Sequence, residues 1–330
     1  MRLDDLRVVF NTKVPAYFGG RRLFFDDLAE DFRALGIQAE TDNWRDYQDF
    51  NVAIFRTYDH ALDAVRQASP DTLVGMVHPC DWRDEELYQT VGADFIISGS
   101  LEERDYYLKY NRNILLMPHI ERDWNLLKEH EDKDEIVLGY HGNKDHLSQF
   151  IPNLKPALDR LGEAYPIRLK AIYNIEKLGL WEIGRPSIPV SGVQWAYESL
   201  GQELLECDIG LVPYMAPIPD RLRRQVLRCV AAKSKAYGEL PNDYLLRFRV
   251  AANAGRAFVF MQLGIPVVAD LTPECCQVLH HGRTGFLAHS PAGWYHAIER
   301  LIASAELRQR VADNARAFFD KHYDRKKHAQ

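Results

Sequence analysis

The amino-acid sequence predicts an α/β protein built from two doubly wound, Rossmann-like domains that face a cleft. Short apolar runs alternate with segments of helical period, and these runs are apolar on both faces, which is typical of parallel sheets covered by helices on each side. The chain has 330 residues, which is too long for one ordinary core. Such a length suits two domains of about 150 residues each.

The first domain is expected to cover residues 1–133. Its strand-like runs are RVVFN, NVAIF, TLVGMV, DFII and NILLM, and they start at Arg7, Asn51, Thr72, Asp94 and Asn113. Helix-like stretches lie between them. The longest, RLFFDDLAEDFRAL, has apolar residues close to the helical period and stops at Gly36. The charged stretch ERDWNLLKEHEDKDE leads to the domain boundary.

The second domain is expected to cover residues 134–330. It opens with the strand IVLGY, a loop, a helix from about Leu147 to Ala164 and a second strand, Ile167–Ile172. A Gly/Pro-rich loop, the helix SLGQELLE and the strand DIGLV follow. The stretch NAGRAFVFMQLGIPVVADLTPECCQVLHHGRTGFLA then reads as strand, turn, helix and strand. A final helical region begins near Ala292, and its last helix can pack back on the first domain.

Composition excludes several classes of protein. The net charge of −6 does not suit a nucleic-acid binder, and 46% hydrophobic with 27% charged residues is typical of a globular protein. Mean hydropathy is −0.34, and we find no apolar run near the length of a transmembrane helix. The five cysteines include no C-x-x-C pair, and MRLDDLRVVFN does not resemble a signal peptide. We therefore expect a reducing cytoplasm and no disulfide framework.

Four pieces of the sequence together resemble a known family. They are VPAYFGG before a helix, IVLGYHGNKDHL, WAYESLGQELLECDIGLVPY, and GIPVVAD followed by PE, HHGRTGFLA and AIERLIAS. In this order the chain is similar to GT-B fold glycosyltransferases, in the retaining group around glycosyltransferase family 4. The likeness is strongest over Trp195–Phe319. It implies an acceptor domain followed by a donor domain that binds a nucleotide sugar.

Two glycine loops are candidate donor sites. Gly19 and Gly20 follow the first strand, and the resemblance places their loop near the donor phosphate. Gly142, Asn143 and Lys144 follow IVLGY. The backbone amides of Gly142 and Asn143, ahead of a helix, can hold phosphate oxygens. An ordinary strand-to-helix turn is the alternative for both loops, because it needs the same residue types.

Two polar residues follow the strand TLVGMV in the first domain. His78 comes directly after it, at the carboxyl end where a doubly wound sheet binds ligands. The resemblance gives His78 contact with the donor sugar or the acceptor; a structural histidine is the alternative. Asp81 can orient His78, bind acceptor hydroxyls or cap the following helix.

The acidic pair of the resembling family is missing, since its two Glu positions fall on Ala251 and Val259. Cations stand nearby instead. Arg249 and Arg256 are seven residues apart, hence on one face of a helix, with Asn253 between them. Arginine offers two parallel donors to a phosphate, so these residues are candidates for a diphosphate clamp. Solvated residues on a helix are the alternative.

Glu274 is the remaining donor candidate. It follows Pro273 in DLTPECC, and the resemblance places this pair in the loop after the PVVA strand, close to the donor. Its carboxylate can bind sugar hydroxyls or cap the helix that follows.

A basic segment lies at residues 221–235. RLRRQVLRCVAAKSK combines an apolar stripe with six Arg or Lys residues. Such a helix can lie on an anionic membrane, contact a polyanionic acceptor, or dock by its apolar stripe. Peripheral contact with the inner face of a membrane is therefore one expectation.

The sequence thus predicts a glycosyltransferase that moves a sugar from a nucleotide sugar to a glycan, lipid-linked or other hydroxyl acceptor. The resemblance implies retention of configuration. No D-x-D triad stands at a strand end, so we expect no metal, and the nucleotide sugar is a substrate rather than a cofactor. A nucleotide-sugar epimerase on the same fold, and a non-catalytic subunit that binds sugar nucleotides or glycans, are the alternatives.

Overall fold

The structure, a computed structural model, describes residues 5–16, 18–122, 124–215 and 253–323. The basic segment 221–235, Arg249 and Ala251 lie outside the described residues. The described chain forms two compact units. The first contains residues 5–122, 253–255 and 321–323, and the second contains residues 124–215 and 256–320. The domain bounds predicted from the sequence, at residues 133 and 134, stay a prediction.

The first unit is built on a parallel six-stranded sheet. Its strands are β1 Arg7–Phe10, β2 Gln38–Thr41, β3 Val52–Arg56, β4 Leu73–Val77, β5 Phe95–Ser98 and β6 Ile114–Leu116. Their order in the sheet is β2-β1-β3-β4-β5-β6. Successive side chains of a strand point to opposite faces, so β1 supplies Val8 and Phe10 to one core and Val9 to the other. Both faces of this sheet are therefore buried, as the sequence predicts.

Helices cover both faces of the first sheet. They are Gly19–Arg21, a π-helical stretch at Arg22–Asp26, Asp27–Ala34, Leu62–Ala68, Asp84–Gly92 and Leu101–Tyr107, with short 3-10 helices at Tyr47–Asp49 and Thr57–Asp59.

A second parallel six-stranded sheet forms the centre of the second unit. Its strands are β7 Ile136–His141, β8 Ile167–Tyr173, β9 Val190–Gln194, β10 Ile209–Val212, β11 Val267–Asp270 and β12 Phe286–Ala288, in the order β12-β11-β10-β7-β8-β9. Its helices are a 3-10 helix at Lys144–Phe150 and the α-helices Leu154–Ala164, Ile175–Leu178, Tyr197–Leu205, Gly255–Gln262, Pro273–Val278, Pro291–Ile302 and Ala305–His322. All six residues of β7 are buried.

The strand order identifies where each sheet can bind a ligand. In the first sheet the chain reverses its direction of winding beside β1, between β1 and β3. In the second it reverses between β7 and β10. Ligands of doubly wound sheets bind outside the carboxyl ends of the strands at such a reversal. The residues that follow β1, β3, β7 and β10 are therefore the first to consider.

Four local predictions were wrong. The stretch from Asn253 was expected to open with a strand, but it opens with the helix Gly255–Gln262 ahead of β11. The strands β2 and β9 were not expected; both are edge strands of mixed polarity, QAET and VSGVQ, so they lack the apolar pattern of a buried strand. The helix expected from about Leu147 to Ala164 is divided into Lys144–Phe150 and Leu154–Ala164. Pro152 lies at the division, and proline has no backbone N–H to donate to the helical hydrogen-bond ladder.

Three buried histidines make stability depend on pH. Burial lowers the pKa of His119 to about 3 and the pKa values of His130 and His141 to about 4. His130 Nε2 donates to the carbonyl of Gly264 at 2.9 Å, and His141 Nε2 donates to that of Arg256 at 3.2 Å. Each ring is therefore neutral in the fold, whereas an unfolded chain protonates histidine near pH 6.5.

We expect the free energy of unfolding to fall as the pH falls from about 6.5 towards 4. The unfolded chain binds protons that the folded histidines do not, at up to about 1.4 kcal/mol per pH unit for each residue. Asp270 opposes part of this loss, because burial raises the pKa of its carboxyl to about 6 and the folded chain binds that proton first. Urea unfolding at pH 7.5, 6.0 and 5.0 measures the slope. His130→Gln should reduce it, while His296→Gln, at a side chain that is 71% exposed, should not. Stability that rises towards pH 5 would contradict this account.

Candidate functional site

Gly142 brings backbone close to a cation at the end of β7. Its φ of +149° is a conformation that side chains disfavour. An added Cβ would lie 2.9 Å from the Tyr140 hydroxyl and 3.3 Å from Cδ of Arg256. Its N–H donates to the carbonyl of Ile172 at 3.1 Å. Only glycine fits here without displacing its neighbours.

The guanidinium of Arg256 is fixed between the carboxyl ends of β7 and β10. Its Nη2 donates to Gln149 Oε1 at 3.1 Å and to the carbonyl of Pro213, which follows β10, at 2.6 Å. The charge lies 4.4 Å from the ring centroid of Tyr214 and 5.7 Å from that of Tyr140, which is cation–π geometry. Its Nη1 is buried and has no hydrogen-bond partner among the described residues. A cation with a spare donor thus lies at the reversal point of the second sheet.

Asn143 and Lys144 already have protein partners. The Asn143 side chain accepts a hydrogen bond from the Asp145 N–H at 3.1 Å and caps the 3-10 helix that follows. Lys144 Nζ donates to the carbonyl of Leu178. The two side chains order the loop, and their contact with a donor stays a prediction.

Asp270, at the end of β11, positions the segment that carries Tyr214. Its carboxylate accepts from the N–H groups of Tyr214 and Met215 at 2.7 and 3.0 Å and from Trp294 Nε1 at 3.0 Å. We did not single out Asp270 from the sequence. The sequence feature that could have identified Asp270 is an acidic residue at the end of an otherwise apolar strand.

Glu274 is a buried residue of the first turn of the Pro273–Val278 helix. Its Oε1 accepts from the Thr272 hydroxyl at 2.8 Å, and a negative charge there suits the helix dipole. Val259, at the position of the family's second Glu, is buried in the Gly255–Gln262 helix. Donor binding by Glu274 stays a prediction.

Asn253 contacts His119, and both residues belong to the first unit. Its Oδ1 accepts from the Gly255 N–H at 2.7 Å, and its Nδ2 lies 2.7 Å from Nδ1 of His119. Because burial keeps His119 neutral, the Asn253 amide donates to it. The helix begins only at Gly255, so the helical face expected to include Asn253 was wrong. Arg249 lies outside the described residues.

His78, directly after β4, has a strained backbone. Its φ is +53°, in the left-handed region, and its carbonyl accepts from the Thr57 hydroxyl at 2.8 Å. Its ring lies edge-on to Phe24, with centroids 4.3 Å apart, and its Nδ1 is 4.0 Å from Glu103 Oε1. A strained, non-glycine residue at a strand's carboxyl end is often functional.

Glu103 was not a sequence candidate. It is buried, and its Oε2 accepts from the Ser98 hydroxyl at 3.0 Å and the Gly99 N–H at 2.9 Å. The Ser100 hydroxyl accepts from the Glu103 N–H at 3.1 Å. The signal was the capping-box spacing S-x-x-E at the start of a helix.

Gly19 and Gly20 open the helical segment that runs to Ala34. Neither has a positive φ, and both are helical, so the strand-to-helix turn expected as their alternative role was wrong. A Cβ on Gly20 would lie 3.5 Å from the Phe24 ring and 3.6 Å from Arg56 Nη1, which is ordinary contact. Their approach to a donor stays a prediction.

Asp81 does not cap a helix. The next helix starts at Asp84 with Arg83 at the cap position. Asp81 Oδ2 accepts instead from the hydroxyls of Tyr106 and Tyr110 at 2.7 and 3.0 Å. Its role in binding an acceptor stays a prediction.

Two further features concern the described residues only. They contain no cluster of three His, Cys, Asp or Glu side chains arranged to hold a metal ion. Within the same ranges, every helix is too short or too polar to cross a bilayer.

Solved structures share this fold. Sucrose-phosphate synthase from Thermosynechococcus elongatus matches at a TM-score of 0.65 and 12% identity, covering 98% of this chain and 96% of that one. Anabaena HepE in complex with UDP matches at 0.62 and 13%, covering 98% of both chains. A glycosyltransferase from Rickettsia africae matches at 0.64 and 9%, covering 98% and 96%. No protein-family model and no curated protein matches the sequence. The predicted GT-B fold is confirmed.

Gly142→Ala is expected to lower the free energy of unfolding by about 1–3 kcal/mol, because a side chain at φ +149° is strained and meets the Tyr140 hydroxyl. Gly20→Ala is the control. Its φ is not positive and its added Cβ has room, so it should cost less than about 0.5 kcal/mol. Urea unfolding of both variants measures the difference, and equal losses would contradict the role given to Gly142.

Proposed function

We propose that this protein is a glycosyltransferase that transfers a sugar from a nucleotide-sugar donor to a hydroxyl acceptor. The observation that carries the proposal is the fixed Arg256 guanidinium at the reversal point of the second sheet, beside Gly142. The GT-B fold supports it by analogy. The neighbour HepE is solved with UDP and with UDP-glucose, so uridine diphosphate sugars are the first donors to try.

On this proposal Arg256 binds the donor diphosphate. The protein occupies Nη2 and leaves Nη1 without a partner among the described residues, so the guanidinium is oriented before a ligand arrives. A preorganised cation in a water-poor site stabilises the charge that develops on a leaving diphosphate. The glycine backbone at Gly142 lets a phosphate approach without meeting a side chain.

The finer points of the proposal come from the family resemblance. Transfer is metal-independent and retains configuration, with the leaving phosphate accepting the proton of the acceptor hydroxyl while His78 positions the reactants. Arg249 acts with Arg256, and Asp81 contacts the acceptor. The donor contacts six further residues, which are Gly19, Gly20, Asn143, Lys144, Asn253 and Glu274. The acceptor is a glycan or a lipid-linked glycan, and residues 221–235 contact an anionic membrane. Liposome flotation with and without the charges of that segment tests the last point.

Arg256→Ala should weaken UDP binding about 10-fold to 100-fold, as expected for the loss of one or two charge-assisted hydrogen bonds. Arg256→Lys should recover only part of the affinity, since lysine lacks the planar fork. Arg168→Ala is the matched control. Arg168 lies on β8, its Nε is 3.0 Å from Glu135 Oε2, and it takes no part in the site. Isothermal titration measures all three.

If wild-type protein binds UDP and Arg256→Ala binds it equally well, Arg256 does not bind the diphosphate. UDP-sugar binding without turnover on a broad acceptor panel would favour the non-catalytic subunit. A changed sugar without any acceptor, seen by mass spectrometry, would favour the epimerase.

His78→Asn should leave stability within about 0.5 kcal/mol of wild type, because asparagine tolerates the left-handed backbone that this position adopts. The same change should lower release of UDP from a UDP-sugar at least about 10-fold, in the range seen when positioned acid–base groups are lost. Thermal unfolding and a coupled UDP assay provide the two readouts. Full turnover in a folded His78→Asn protein would show that His78 is only structural.

A further inference from the structure

Exposed aromatic side chains line the carboxyl edge of the first sheet. Tyr58 follows β3, Trp82 follows β4, and Tyr106 lies in the helix after β5, three neighbouring strands. Trp82 is 63% exposed, and Tyr58 and Tyr106 are each 37% exposed. Large aromatic rings in water are costly, so a group of them at the ligand-binding edge of a sheet indicates a contact surface.

Trp82 is the most exposed ring of the three, and Tyr58 lies next to it. The centroids of Tyr58 and Trp82 are 6.3 Å apart and their planes are inclined at 50°, so the rings do not stack flat on each other. The Arg56 guanidinium lies 5.4 Å from the Tyr58 ring centroid. The same guanidinium comes within 3.6 Å of the Cβ position of Gly20, so the aromatic surface continues to the predicted donor loop of this unit.

Asp81, whose carboxylate is fixed by hydrogen bonds, lies next to Trp82 in the chain. The hydroxyls of Tyr106 and Tyr110 both donate to Asp81 Oδ2, and Asp81 Oδ1 makes no hydrogen bond with the described residues. The ammonium of Lys109 is 3.8 Å from Asp81 Oδ2 and 3.8 Å from the ring centroid of Tyr106. The surface therefore combines aromatic faces with an oriented acceptor and a cationic donor.

We propose that Tyr58, Trp82 and Tyr106, with Asp81 and Lys109, bind the pyranose rings of an oligosaccharide. A pyranose has an apolar C–H face, which packs on an aromatic ring, and a rim of hydroxyls, which Asp81 and Lys109 can bind. The inference deepens the proposed function: the acceptor is then an oligosaccharide or polysaccharide rather than a monosaccharide or a small aglycone.

The local charge favours a glycan over an anionic membrane. Exposed Arg83, Asp84 and Glu85 follow Trp82 in the chain, so charges of both signs lie beside it rather than a basic cluster, and Asp63 accepts from the hydroxyl of exposed Tyr88 at 2.7 Å. Anionic lipid surfaces attract basic segments and repel acidic ones. A neutral oligosaccharide meets no such repulsion.

The test is isothermal titration of the full chain with cellotetraose, maltotetraose and chitotetraose, each with UDP titrations in parallel. We expect wild-type protein to bind at least one tetrasaccharide. Trp82→Ala and Asp81→Asn should each weaken that binding at least 10-fold, with UDP affinity unchanged. Ile183→Ala, which removes an 80% exposed apolar side chain from the second unit, is the matched control and should change neither affinity. Trp82→Phe should recover part of the loss, because a smaller aromatic face remains.

Three results would overturn the inference. The first is that wild-type protein binds no tetrasaccharide, and the second is that Trp82→Ala binds a tetrasaccharide as tightly as wild type. The third is that Trp82→Ala loses binding to phosphatidylglycerol vesicles but keeps its tetrasaccharide binding. The last would identify a membrane surface. If wild-type protein binds a tetrasaccharide but not UDP, the proposed donor function is contradicted and the oligosaccharide-binding surface is still supported.

Discussion

The fixed position of the Arg256 guanidinium is the constraint around which the second unit is arranged. A buried cation must be paired or lie against a polarisable face, and Arg256 has both through the Pro213 carbonyl and the Tyr214 ring. Asp270 in turn holds the backbone of Tyr214. Gly142 is required because Cδ of Arg256 and the Tyr140 hydroxyl occupy the space of a side chain.

On the proposed function, this constraint also accounts for a donor site without the acidic pair of the resembling family. With Val259 buried at one of the two Glu positions, no carboxylate there can bind the ribose. Binding must then depend more on the diphosphate, and a preoriented arginine is well suited to that task because it stays charged at any working pH. On the proposed function, donor affinity is therefore mainly electrostatic.

The sequence predicted the fold because buried parallel strands must be apolar on both faces, and β1, β3, β4 and β7 are. It missed β2 and β9 because edge strands need no such pattern. The sequence identified Arg256 as a cation near the missing acidic pair, but it did not indicate what surrounds Arg256: Gln149 is 107 residues away in the chain and Pro213 is 43. The Asn253–His119 contact joins residues 134 apart. Local patterns carry no information on such contacts, and the same is true of the Tyr58–Trp82 surface.

The most direct test of the central claim compares UDP with uridine as ligands of the wild-type protein, by isothermal titration at low and high salt. If the diphosphate is the principal contact, UDP binds at least about 10-fold more tightly than uridine, and the difference shrinks as salt screens the charges. Equal affinities for the two ligands, or no binding of UDP at low salt, would contradict the account.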